Sequence, residues 1–246
     1  MERLVDLHGK VALVTGGAVR LGKALALALA DEGMRVALHY GESAAAAEET
    51  VAAIRNAGGE AAAFQADLRQ ADRTARLVED VAESFGQVDI LVNSAAIFKP
   101  GDLADTTEAL WDDHFSINLK APFFLCRAFA AQLGKERSGQ IVNIVDWRAT
   151  RPDSHYLAYT LTKAALVTMT RSLAQALAPN IRVNAIAPGA ILPPPGEDRA
   201  YLDRLATGIP LRRAGSTDDV ARALIYLLTA DFVTGEMLFV TGGEHL

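Results

Sequence analysis

The stretch Val11-Ala12-Leu13-Val14-Thr15-Gly16-Gly17-Ala18-Val19-Arg20-Leu21-Gly22-Lys23-Ala24-Leu25 decides the fold. Residues 11–15 read as a short β-branched strand, 16–21 as a glycine-rich turn, and 22–32 as an alanine- and leucine-rich helix closed by Gly33. A strand that is apolar along its whole length is buried on both faces, which requires a parallel sheet with helices on each side.

The same alternation continues outward. Residues 35–40, 61–65, 90–93, 141–145, 182–187 and 237–240 supply six more strands. Helices are expected over 43–57, with Ser43 as N-cap and Gly58-Gly59 as stop, and near 70–85, 108–133, 156–178 and 217–228. This pattern implies one doubly wound α/β domain over residues 1–246, with a seven-stranded, mainly parallel sheet between helices. No linker, repeat or low-complexity tract interrupts it. The one irregular segment, 189–198, contains Pro193-Pro194-Pro195 and reads either as a surface loop or as a flap over the C-terminal ends of the strands.

Composition narrows the function classes. The 246 residues are 50% hydrophobic and carry a net charge of −6, which argues against nucleic acid or an anionic membrane as the main partner. Cys126 is the single cysteine, so a disulfide framework is excluded, and it reads as a small buried hydrophobe in preference to a nucleophile. Residues 1–6 lack a signal-peptide pattern, and no apolar run approaches the roughly 20 residues of a membrane span. A cytosolic protein is expected. The histidines (His8, His39, His114, His155, His245) are scattered without ligand spacing, so no metal site is expected.

The glycine turn after the first strand suits a dinucleotide. Glycine allows close approach of backbone to a pyrophosphate, and the free N–H groups at a helix start favour its charge. The spacing is not G-x-G-x-x-G, so its position in the chain carries the reading. NAD sites normally hold the ribose with an acid at the end of the second strand. Here that end is Leu38-His39-Tyr40-Gly41-Glu42-Ser43, with no acid before Glu42. Arg20, His39 and Ser43 could receive a ribose phosphate instead, which favours NADP(H), although a carboxylate at Glu42 would repel that phosphate if it came close.

Tyr159 and Lys163 stand four residues apart, on one face of the helix over 156–178. A free tyrosine, with a pKa of about 10, is a poor acid at neutral pH. A fixed ammonium beside it stabilises the phenolate and is expected to bring the group toward its working range. Tyr159 is therefore the expected proton donor.

Taken together, Thr15-Gly16 with Gly22, Asp67-Leu68, Asn93-Ser94-Ala95, Asn118, Tyr159 with Lys163, and Pro188-Gly189 make the chain resemble the short-chain dehydrogenase/reductase family over essentially its whole length. The resemblance implies a Rossmann-type NADP(H) site and a small-molecule substrate. It implies cofactor contacts from Gly16, Arg20, Leu21, Gly22, His39, Tyr40, Ser43, Asp67 at the adenine, Leu68, Asn93, Ser94 and Ala95. Pro188, Gly189 and Ile191 are expected near the nicotinamide, Tyr159 at the reacting centre and Lys163 on the nicotinamide ribose. Asn118 is expected to hold a water that relays protons to Lys163, or to be a helix-kink residue, or both.

Two departures from the common family pattern, Arg20 in the place of a glycine and Asp146 in the place of the catalytic serine, resemble the pteridine reductase branch with its bacterial dihydromonapterin reductases. Phe98 then falls on the aromatic that stacks against a pterin, or else is ordinary core packing. Asp146 is either a turn residue after the strand or a functional acid. An ionised carboxylate can only accept hydrogen bonds, which suits ring N–H groups better than a ketone oxygen. The substrate contacts expected are Arg20, Phe98, Asp146 and Tyr159; the catalytic set is Asn118, Asp146, Tyr159 and Lys163. Trp147 and Arg148 lie next to this set without an assigned role. The leading expectation is NADPH-dependent reduction of a dihydropterin, in a homotetramer built through the helices over 108–133 and 156–178. The alternatives are a carbonyl reductase such as a 3-oxoacyl thioester reductase, and a non-catalytic dinucleotide-binding regulator.

Overall fold

The computed structural model describes residues 5–194 and 196–246. Pro195 of the irregular segment and Met1 to Leu4 lie outside the described residues.

All seven expected strands are present: β1 (Val11–Val14), β2 (Arg35–Tyr40), β3 (Ala61–Gln65), β4 (Ile90–Asn93), β5 (Gly139–Ile144), β6 (Ile181–Pro188) and β7 (Met237–Val240). They form one sheet in the order β3-β2-β1-β4-β5-β6-β7, with every neighbouring pair parallel. β1, β4 and β5 are buried at every residue, as central strands of a sheet covered on both faces are. The strand order reverses between β1 and β4, so a crevice opens above their C-terminal ends, the place where such sheets take ligands.

The helices are α1 (Arg20–Asp31), α2 (Ala44–Asn56), α3 (Ala71–Phe85), α4 (Glu108–Phe115), α5 (Ala121–Leu133), α6 (Leu157–Leu177), α7 (Arg199–Ala206) and α8 (Thr217–Thr229). One face of the sheet packs against apolar residues of α1, α2 and α8, including Leu25, Val51 and Leu224. The opposite face takes α3 and α5 through Leu77, Leu125 and Phe129.

Three features depart from the sequence reading. The helix expected over 108–133 is interrupted by a π-helical turn, Ser116–Lys120, centred on Asn118. Ser43 precedes α2, but its side chain makes no capping hydrogen bond. α7 was not anticipated: it is short, and only Leu202 is buried. Its start is capped by Asp198, whose side chain accepts from Ala200 N–H.

Candidate active site and cofactor groove

The turn after β1 is held by two polar side chains. Thr15 Oγ accepts from the N–H groups of Ser94 and Ala95, at 2.9 and 3.0 Å, and donates to Val92 O at 3.4 Å, tying the crests of β1 and β4 together. His39 Nδ1 accepts from Gly16 N–H at 3.2 Å, so Nε2 carries the ring proton and donates to Ala66 O at 3.0 Å. Gly16 has φ +64, and a Cβ there would lie 3.0 Å from Ala95 Cα. At Gly22 a Cβ would lie 2.1 Å from Gly16 O, so the first turn of α1 packs directly on the glycine turn. Arg20 takes φ +53, a left-handed conformation that costs a non-glycine residue about 1 kcal/mol or more. Its guanidinium donates to Pro193 O at 2.6 Å, so it reaches across to the irregular segment.

A cavity of about 890 Å³ runs along this crest. Gly16, Arg20, Leu21 and Gly22 border it from the turn, and His39 and Ser43 from the end of β2. Asp67 and Leu68 follow from β3, and Ser94 and Ala95 from β4. Arg69 and Arg73 also line it, and sequence reading missed both; their nearness to the Asp67-Leu68 pair was the available signal. Arg69 bonds Asp67 at 2.9 Å, which holds the Asp67 carboxyl below its ordinary range, and it lies 3.8 Å from the well-exposed Glu42.

The side chains of several expected cofactor residues are engaged by the protein itself. The His39 ring is engaged at both nitrogens and acts as a clasp on Gly16; burial lowers its pKa. The Asn93 amide turns away from the groove to Asn143 Oδ1, at 2.8 Å, and Cys126 Sγ. Tyr40 packs against the core, and Ile191 is buried within it. Pro188 ends β6, and Gly189 lies beneath the Glu244 carboxylate, whose Oε2 accepts from Ala190 N–H at 2.9 Å. Cys126 is buried, and burial pushes its thiol up to about 12, as expected of an inert residue.

The other expected residues converge at the crest of β5. Asp146 follows this strand, and its Oδ2 accepts from the Tyr159 hydroxyl at 2.9 Å. Its Oδ1 accepts from Arg148 N–H at 2.8 Å, so it is both a turn residue and a partner of Tyr159. Lys163 Nζ donates to Ile144 O at 2.8 Å and lies 5.6 Å from the centre of the Tyr159 ring. Burial pushes Lys163 down to about 8.

The expected lowering of Tyr159 by Lys163 is not what the geometry gives. Burial, and then the Asp146 carboxylate as charge and acceptor, hold the phenol well above its ordinary value. In this arrangement Tyr159 is a hydrogen-bond donor that keeps its proton.

Asn118 is fully buried. Its Oδ1 accepts from Ile97 N–H at 2.9 Å, and its Nδ2 donates to Ile97 O at 3.0 Å and Thr162 Oγ at 3.3 Å. The side chain therefore fixes the loop after β4 to the π-helical turn, which fits the kink reading. Ile97 lines the groove, and the next residue, Phe98, reaches the catalytic pair. The Phe98 ring stacks on Tyr156 at 4.3 Å and meets Tyr159 edge-on at 4.7 Å. A bridge between Gly101 and Tyr156 fastens this loop to the start of α6.

Residues 17–245 match the family model described as enoyl-(acyl carrier protein) reductase, adh_short_C2. The 3-oxoacyl-[acyl-carrier-protein] reductase FabG of Staphylococcus epidermidis is 35% identical over 242 residues, covering 96% of this chain and 99% of that protein. Among solved structures, FolM alternative dihydrofolate reductase 1 from Brucella canis, complexed with NADP, is 38% identical with a TM-score of 0.92, covering 100% of this chain and 96% of that one. A short-chain dehydrogenase from Burkholderia cenocepacia in complex with NADP is 36% identical with a TM-score of 0.90, covering 98% and 100%. With its parallel sheet, its glycine turn and the Tyr159–Lys163 pair at the crest, the chain belongs to the short-chain dehydrogenase/reductase family and is an oxidoreductase.

Proposed function

We propose that this enzyme is an NADPH-dependent reductase of a dihydropterin, taking it to the tetrahydro level. The cofactor is NADP(H): two of the related structures carry NADP, and the groove suits it. The turn at Gly16 and Gly22 is too tight for a Cβ, as a backbone cradle for a pyrophosphate must be. Ser43, Arg69 and Arg73 border the groove beyond the end of β2, where a ribose phosphate would need partners. Glu42, the residue that argued against a phosphate, has Arg69 as its counter-charge.

The observation that carries the pterin reading is the Asp146 carboxylate at 2.9 Å from the Tyr159 hydroxyl. An ionised carboxylate offers only acceptors and repels the negative charge that builds on a ketone oxygen during reduction. Beside a nitrogen heterocycle it accepts from ring N–H groups. When bound, NADPH supplies the hydride. Tyr159 gives up its hydroxyl proton to the substrate, so a C=N bond gains one hydride and one proton. Asp146 is more exposed than Tyr159 and bonded to its hydroxyl, so it can pass a proton back to the phenol. Phe98 stacks on Tyr156 and is 36% exposed beside Tyr159, where an aromatic ring can pack against a planar substrate. The similarity to an alternative dihydrofolate reductase supports the same substrate class.

The 35% identity to 3-oxoacyl reductases favours a second reading, reduction of a 3-oxoacyl thioester. Cofactor oxidation followed with dihydrobiopterin or dihydromonapterin, in parallel with an acetoacetyl thioester, separates the two. The expected result is turnover of a pterin, lost in Asp146→Ser with ketone reduction gained. Turnover of the thioester alone overturns the reading. The assembly proposed is a homotetramer joined through α4, α5 and α6.

A further inference from the structure

Arg148 stands one turn from the catalytic pair, and neither the fold nor the cofactor groove accounts for it. Its backbone N–H holds Asp146 Oδ1, and its guanidinium lies 3.5 Å from the same oxygen. The guanidinium has three further neighbours: it lies 3.7 Å from Asp153, 5.0 Å from the centre of the Trp147 ring and 5.9 Å from that of Phe98. The Arg148 and Asp146 side chains are 23% and 14% exposed, so their mutual attraction is little weakened by water. A backbone N–H at this position would orient the carboxylate whatever the side chain. The guanidinium adds a fixed positive charge, placed between the proton-handling acid and the aromatic ring of the substrate site.

We propose that Arg148 is a positioning residue for proton transfer: it takes up Oδ1 of Asp146, balances its charge, and leaves Oδ2 as the one oxygen that serves Tyr159. This rests on the reading of Tyr159 as proton donor. It also limits the acid, because a carboxylate with one oxygen engaged cannot grip a substrate through both.

The groups that face Tyr159 are few. Lys163 comes from its own helix, the His114 ring lies 6.4 Å away on α4, and Asp146 and Arg148 follow β5. Glu244, from the C-terminal segment, interacts electrostatically with both Asp146 and Arg148, and burial raises its own carboxyl. Among these, Arg148 draws the phenol down against burial and Asp146, which push it up. Removing the cation therefore moves the phenol further up.

The test uses Arg148→Met and Arg148→Lys, with Arg148→Gln in reserve should the Met variant fail to fold. In Arg148→Met, kcat is expected to fall about tenfold. NADPH affinity, read by fluorescence, should stay unchanged, and the alkaline limb of kcat/KM should move to higher pH. Arg148→Lys should restore most of the limb. Independently of turnover, ultraviolet difference titration should show the phenolate signal that Tyr159→Phe removes rising at higher pH in Arg148→Met. An unmoved pH profile and phenolate titration overturn the inference, as does a rise in KM alone, which would mark Arg148 as a simple substrate contact. Both a dihydropterin and a thioester are assayed, so failure of the pterin reading leaves the Arg148 test readable on the other substrate.

Discussion

Lys163 is an ammonium almost without water, bonded to Ile144 O and pushed by burial to about 8 from its ordinary 10.5. That gap amounts to ~3 kcal/mol against the charged form. The penalty is fully present below pH 8. Between about 8 and 10.5 the unfolded chain binds more protons than the folded one, so folding stability rises with pH across that window. Lys163→Met lacks this gain. In denaturant titrations it should be the more stable protein near pH 7, with the difference closing toward pH 10.5, while turnover falls at least about a hundredfold. The place of Lys163 and Tyr159 on one helix face was legible from their spacing. The direction of the Tyr159 shift was not, because it depends on which carboxylate the fold brings to the hydroxyl and on how deeply both are buried. Arg20 is a related case. Its departure from glycine was visible in the sequence, but its left-handed backbone and its reach to Pro193 required the fold.

At the scale of elements, the strands were readable because buried β-branched runs have no polar face to confuse the pattern. α8 was equally clear, and its start carries a full capping box between Ser216 and Asp219. A kink at Asn118 was anticipated, but its π-helical form was not, since nothing in the local sequence announces that Asn118 turns its amide to Ile97. α7 was hidden because one buried leucine gives no periodicity. The joint between β1 and α1 yields a sharp prediction. Gly22→Ala puts a methyl 2.1 Å from Gly16 O, a backbone atom with nowhere to go. It should destabilise the protein by about 1–3 kcal/mol and weaken NADPH binding at least tenfold, read by thermal melting and by fluorescence titration. Equal affinity in the variant would mean that the glycine turn does not bear on the cofactor.

For the molecule as a whole, the reversal of strand order sets the crevice, and Thr15 locks its two sides together. A second cavity, of about 740 Å³, opens on the surface of α4, α5 and α6, with Phe115, Leu119, Phe123 and Met169 in its lining. Phe123 is 44% exposed there. Apolar side chains left in the open across neighbouring helices mark a face that another subunit would cover. Sedimentation velocity should give a tetramer for the native chain and smaller species for Phe123→Asp; a native monomer would remove the assembly proposed. No helix among the described residues is long and apolar enough to cross a membrane.

The His39 clasp has a practical consequence for anyone redesigning coenzyme preference. The end of β2 is the obvious place to exchange one nicotinamide coenzyme for the other, and a histidine there looks like an adjustable contact. Its ring is the hinge pin of the glycine turn, with donor and acceptor both in use. A carboxylate written at position 39 would leave Gly16 N–H and Ala66 O to find new partners and would loosen the cradle for either coenzyme. The freedom to rewrite selectivity lies beyond the strand, at Gly41, Glu42 and Ser43, and at Arg69 and Arg73 across the groove.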